Sequence, residues 1–307
     1  MKQRFAGIIL VLSLLFSSPV LAQIGSSGMA FLKLGVSGRG VSMGDAMSAL
    51  VEGAAATYYN PAGLLPSSTG SMGTELMFMH KEWIQDSRTE FLGGAMPLGE
   101  RSALGVSVVS TTVSDIEVHT RPGPAEATFT ARNFSAGLSY AQAFGTNIRL
   151  GVTAKFLYEK ILVDEASGYA VDLGAQMRTP VENLTAGIAL ANLGSMSRLE
   201  SEKTSLPAML RVGPAYSFAF AADEYRLNLA VDYLNIFPEK HSYVNTGAEF
   251  MFGSILAARG GYQFGSEGRG LSAGLGVRYG IVGLDYAYSR LAQDLGNTHT
   301  LSLAVTF

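Results

Sequence analysis

Gly40-Val41-Ser42-Met43-Gly44 carries the G-x-S-x-G spacing that presents a serine nucleophile in α/β hydrolases. That chemistry needs a buried strand before the serine and a helix after it, inside an alternating βα sheet, and this chain has no βα alternation. His80, His119, His241 and His299 stand singly, with no i, i+4 pair and no H-E-x-x-H spacing for a metal or a general base. His299 falls near an expected strand end without a serine or carboxylate in register beside it. The absence of cysteine removes thiol nucleophiles, thiolate metal sites and disulfides together. Asp45, Asp115 and Glu117 do not follow calcium-loop spacing. The glycine-rich runs 35–40 and 265–270 are not followed by the Lys-Ser/Thr of a phosphate loop. These patterns predict a non-enzyme without cofactor or metal. What remains is a scatter of charges of both signs, Arg149, Lys155, Glu159, Asp172, Arg211, Arg226, Asp232, Glu249, Arg259, Arg278 and Asp285, set among Gly, Ala, Ser and Thr.

The elements that carry these charges follow from composition. Only 15% of the 307 residues are charged, against about 25% in an ordinary soluble domain. Glycine accounts for 36 residues, and mean hydropathy is +0.22, so part of the surface must face something other than water. A net charge of −3 with no basic cluster excludes nucleic acid as a partner. Lys2 and Arg4, the apolar run 5–16 and the Val20-Leu21-Ala22 pattern read as an export signal over residues 1–22, leaving Gln23 as the first mature residue. Every later apolar run is interrupted within a few positions, so helices do not span a membrane. The other spanning solution is a closed β-barrel, written as segments of about ten residues that alternate apolar and polar.

The alternation is dense. Leu301, Leu303, Val305 and Phe307 share one face while Thr300, Ser302, Ala304 and Thr306 share the other, and Tyr225, Leu227, Leu229, Val231 and Tyr233 alternate with Arg226, Asn228, Ala230 and Asp232. A water-soluble sandwich also alternates, but its polar face carries many Lys and Glu. Here that face is small-residued with isolated charges, as in a lumen, and the apolar face ends in aromatics. Runs bounded by turn residues predict fourteen antiparallel strands, starting near Thr69, Arg88, Ser102, Thr128, Ile148, Gly168, Leu184, Pro207, Tyr225, Ser242, Ile255, Gly270, Ile281 and Thr298. Tight turns alternate with longer polar loops at 81–87, 115–127, 195–206, 235–241 and 291–297, which predicts both termini on the periplasmic side. Residues 23–68 do not alternate; with a helical candidate at 45–52, they are expected to fold back into the lumen as a hatch ahead of the barrel, 69–307.

Two segments of that hatch carry a resemblance. The run 35–46, Gly-Val-Ser-Gly-Arg-Gly-Val-Ser-Met-Gly-Asp-Ala, followed by Ala54-Ala55-Ala56-Thr57-Tyr58-Tyr59-Asn60-Pro61-Ala62-Gly63-Leu64, resembles the amino-terminal signature of the PorV/PorQ family, a branch of the FadL-type outer-membrane barrels. Ala191-Asn192-Leu193-Gly194 and the stretch from Leu206-Pro207 to Tyr216 are similar to the family as well. The resemblance implies fourteen strands, Gram-negative outer-membrane residence and a hatch motif at Gly40, Gly44, Tyr58, Tyr59, Asn60, Pro61 and Ala62. It implies a role in protein export of the type IX kind, with secreted cargo proteins or secretion components as partners. The second reading, from FadL-type relatives, is passage of hydrophobic small molecules. Outer-membrane lipid is a partner in both. The proline-stiffened loop with Arg121, Pro122 and Pro124 is the candidate for contact outside.

Overall fold

The computed structural model describes residues 27–66, 73–83, 87–119, 121, 123–199, 202–221, 224–266, 268–292 and 296–307. The expected export signal, the strand start at Thr69 and Pro122 lie outside the described residues. The strands are β1 (Glu75–Glu82), β2 (Ser87–Pro97), β3 (Ser102–Val118), β4 (Ala127–Phe144), β5 (Ile148–Ile161), β6 (Asp164–Arg178), β7 (Leu184–Met196), β8 (Arg198–Leu199), β9 (Glu202–Lys203), β10 (Met209–Phe220), β11 (Tyr225–Ile236), β12 (His241–Phe252), β13 (Leu256–Phe264), β14 (Arg269–Tyr279), β15 (Val282–Leu291) and β16 (Asn297–Thr306). All but β8 and β9 form one closed, fourteen-stranded antiparallel barrel; β7 pairs with β10, and β16 returns to β1.

The expected strand starts fall mostly within a residue or two of the observed ones, and the departures have local causes. Strand β6 begins at Asp164 rather than Gly168, because Leu162 adopts a left-handed φ of 57° and turns the chain without glycine, proline, Asn or Asp. Strand β3 runs on to Val118 past the expected loop start, since Asp115, also at φ 57°, is absorbed as a bulge. The expected loop 195–206 contains the small β8–β9 ribbon.

The two faces sort inside out relative to a soluble protein. Leu92, Val106, Leu138, Val152, Leu173, Leu229, Leu275 and Leu303 are exposed, while Thr153, Asp172, Asp232, Glu249 and Thr300 are buried. Arg226 and Arg278 are exposed. Phe220, Tyr225, Phe250 and Phe252 cluster at one end with neighbouring ring centroids 4.6–6.1 Å apart. At the other end Tyr233, Tyr286 and Tyr288 hydrogen-bond Ser242, His299 and Asn297 at 2.8, 2.7 and 2.6 Å. An apolar belt between aromatic rims on a barrel without edges is a surface shaped for hydrocarbon. Leu138→Arg, at a 60% exposed site, is therefore expected to lower folding stability in lipid by about 2–4 kcal/mol, read by urea titration in bilayers; Ser139→Ala, facing inward, serves as the comparison.

Connections after β2, β4, β6, β10, β12 and β14 share the end where β1 begins and β16 finishes, here the turn end. The others lie at the loop end. Residues 27–66 thread the lumen between them. At the loop end the Ser27 hydroxyl donates to Glu239 at 2.5 Å and the Gly28 N–H to the Ser205 carbonyl at 3.0 Å. At the turn end the Ala54 N–H donates to Glu75 at 2.8 Å and Arg149 to the Leu65 carbonyl at 2.7 Å. The first described residue, Ser27, thus lies at the end opposite the carboxy terminus; the mature terminus expected at Gln23 lies outside the described residues. The expected helix at 45–52 is not formed either. Helical turns occupy Gly38–Ser42 and Ala56–Tyr59, with tighter turns at Ala30–Lys33, Gly53–Ala55 and Pro61–Leu64. Gly44 and Asp45, both at φ 63°, terminate the turn before them rather than start one after. A side chain at 44 would also strike the Thr246 carbonyl, 2.8 Å from a Cβ.

Candidate functional site

The seat of the hatch is assembled around Asn60, which is fully buried. Its Oδ1 accepts the Ala62 N–H at 3.2 Å and caps the turn Pro61–Leu64, whose first residue is a proline with φ preset for that conformation. Its Nδ2 donates to the carbonyls of Ser48 at 2.8 Å, Ala175 at 3.1 Å and Ile188 at 3.3 Å. One amide thereby ties two turns of the hatch to β6 and β7. The approach is close enough that the wall must be glycine there: a Cβ at Gly174 would lie 2.7 Å from Pro61 Cδ and collide with Asn60 Oδ1.

Charged anchors surround this seat. Asp45 accepts the Tyr59 hydroxyl at 2.6 Å and Arg269 of β14 at 2.9 Å. Burial alone would push its carboxyl up, but Arg269, Lys81 and Tyr59 hold it below the usual carboxylate range, while burial and Asp45 push the Tyr59 hydroxyl well up. Lys81 donates to the Gly35 carbonyl at 2.5 Å. Asp232 of β11 accepts the Ser48 N–H at 2.8 Å and hydroxyl at 2.5 Å, and Gln176 donates to the Ser48 and Val51 carbonyls at 3.0 and 3.2 Å. Glu249 of β12 takes both Arg39 Nε and Nη2 at 2.9 and 2.8 Å, Arg259 at 2.6 Å and Asn228 at 2.8 Å; Arg259 also reaches Asp285 at 2.6 Å. Tyr58 donates to the Leu32 carbonyl at 2.9 Å and packs edge-on against Tyr59 at 5.0 Å. Arg211 lies over both rings, 5.7 and 5.6 Å from their centroids. Lys155 pairs with Asp172 at 2.6 Å, and Asp172 also accepts the N–H of Asn192, the left-handed residue of a bulge between β6 and β7.

The arrangement binds and positions; it does not assemble a nucleophile with a base. The Ser42 hydroxyl donates to the Arg39 carbonyl at 2.9 Å. The four histidines are dispersed, His80 near Glu82 and Glu90, His119 beside Glu117, His241 on the Gly265 carbonyl and His299 on Tyr286. Among the described residues no group of three or more His, Asp or Glu could hold a metal. Gly40, Gly44, Tyr58, Tyr59, Asn60, Pro61 and Ala62 are buried in the lumen but spread across it: Gly40 packs on the Tyr59 hydroxyl, Gly44 against Thr246 and Tyr262 of β12 and β13, and Pro61 and Ala62 against Gly151 of β5, whereas Arg121 and Pro124 are exposed in the β3–β4 connection. The wall residues that receive the hatch, Gly151, Gly174, Gly187 and Asp232, were not picked out as a seat. Their signal is glycine recurring on the inward parity of neighbouring strands, where a lumen without a plug would carry side chains.

No family model matches the chain, and no curated protein does. Solved structures do. The toluene transporter TbuX of Ralstonia pickettii superposes with a TM-score of 0.62 at 13% identity, covering 89% of this chain and 98% of that one. The Pseudomonas putida toluene transporter TodX gives 0.60 at 10%, covering 88% and 96%. A Pseudomonas aeruginosa FadL homologue gives 0.53 at 13%, covering 89% and 98%. At these identities the likeness is one of fold: a closed fourteen-stranded barrel of the FadL type.

Proposed function

We propose that this chain is a non-enzymatic outer-membrane barrel that passes hydrophobic small molecules through a lumen gated by residues 27–66. The observation that carries this reading is the construction of the plug. It crosses the whole lumen yet contributes no strand to the wall, and it is held by side-chain contacts that can be exchanged without opening a ladder hydrogen bond. The likeness in fold to proteins described as toluene transporters supports the class of solute. The PorV/PorQ assignment and the protein-export role draw on the quoted sequence segments alone.

The test uses the cysteine-free background. A Cβ at Gly105 of β3 would meet only side-chain ends of the hatch, Thr57 Cγ2 at 2.8 Å and Leu64 Cδ2 at 2.7 Å; Thr57→Cys with Gly105→Cys removes that methyl group, brings two thiols together and locks the hatch on oxidation. Cells carrying the reduced barrel are expected to take up labelled toluene several-fold faster than cells carrying the oxidised one, with reductant restoring the rate. Equal uptake in both states would remove the conduit reading.

A further inference from the structure

Two wall residues in the lumen are satisfied by the hatch in place of each other. Arg211 stands opposite Leu234 in the β10–β11 register, two residues from Asp232 on the same inward face, a diagonal spacing that long side chains span. A Cβ at Gly213 would collide with the Asp232 carboxylate and the Val231 carbonyl, so glycine stands on β10 where that carboxylate lies against it, two residues from Arg211. In the seated state Asp232 spends both carboxylate oxygens on Ser48. Arg211 faces the Tyr58 and Tyr59 rings, is only 3% exposed, and its Nε has no acceptor among the described residues. A buried guanidinium N–H left without an acceptor is costly. The other anchors differ. Arg269 is paired with Asp45 of the hatch itself, and Glu249 keeps Arg259 whether or not Arg39 is present.

Resting on the reading of 27–66 as a movable gate, we infer that Arg211 and Asp232 form an ion pair when residues 48–60 lift, giving the wall a second set of partners for the released state. Lifting uncovers an anion and a cation at once, and each then satisfies the other, so the gate returns from a defined open arrangement rather than from a lumen with two stranded charges.

The experiment reads opening as the labelling rate of a single cysteine, Ala56→Cys, buried within the lifting segment, by a polar maleimide in the folded, detergent-solubilised barrel. Arg211→Met is expected to slow labelling several-fold, because the open state loses a direct ion pair while the seated state loses two ring contacts and the weaker attraction of Arg211 for Asp45 and Asp232. Asp232→Asn is expected to change the rate little beside Arg211 and to raise it several-fold beside Arg211→Met, where only the weakened Ser48 anchor is felt. Arg211→Gln, polar but uncharged and shorter, is expected to repeat the methionine result and covers a folding defect of that variant. Arg211→Met labelling as fast as the parent, or Asp232→Asn acting equally in both backgrounds, would overturn the pairing while leaving the gate intact. A parent rate that drops on replacing chloride by gluconate, with Arg211→Met insensitive, would assign Arg211 to a bound anion and overturn it as well. No labelling of the parent would overturn the gate and the pairing together.

Discussion

Asn60→Asp should convert the closed barrel into an open one without unfolding it. The substitution keeps the side-chain shape and the acceptor for the Ala62 N–H but replaces an amide that donates to three carbonyls by a carboxylate that faces them. An uncompensated buried charge of this kind costs about 3–5 kcal/mol, and protonation removes the charge but leaves one donor for three acceptors. The wall does not depend on the hatch for its own backbone pairing, since the barrel closes through strand ladders alone. The cost is therefore relieved by unseating the hatch. Ion conductance in planar bilayers is expected to rise from a closed baseline to a steady open level, with the folded band on an unheated gel retained. Asn60→Ala, which leaves the carbonyls without this donor but introduces no charge, should open the barrel less often; its loss of a turn cap is worth about 1 kcal/mol. A closed baseline in Asn60→Asp would mean that the seat is held elsewhere.

Much of the wall was legible because each strand must show one face to hydrocarbon and the other to a crowded lumen, and that demand writes a period of two. Leu301 to Thr306 alternates for this reason and is observed within β16. The rule loses force where backbone geometry is set by something other than the pattern. Leu162 turns left-handed between two strands, and nothing in Ile161-Leu162-Val163 announces it. The hatch was harder still. Its backbone is shaped by groups far away in sequence: Asp45 is bent to meet Tyr59 and Arg269, 14 and 224 residues off, so the local acidic start that suggests a helix at 45–52 is spent on other contacts. Asn60-Pro61 was readable as a turn because its geometry is local, and the turn is formed. That its amide spans β6 and β7 depends on barrel closure, which no window of sequence contains.

Glu249 should prove the residue whose loss is felt by hatch and wall together. It is 1% exposed and accepts from Arg39 twice, from Arg259 and from Asn228. Glu249→Leu leaves Arg259 with Asp285 alone and Arg39 without its carboxylate, and removing one member of a buried charge network costs about 3–5 kcal/mol. Because Arg259 and Asp285 belong to β13 and β15, part of that cost falls on the wall, and the urea midpoint of the refolded barrel is expected to drop as well as the hatch seat. Arg39→Met separates the two contributions. It removes the hatch arm of the network, leaves Glu249 with Arg259 and Asn228, and should raise conductance while leaving the urea midpoint close to the parent's. The double variant Arg39→Met, Glu249→Leu should be more stable than the sum of the single losses predicts, since the first change removes one of the charges that the second strands. Equal midpoints for Glu249→Leu and Arg39→Met would show that Glu249 serves the hatch alone and that β12, β13 and β15 are held by their ladders and not by this network.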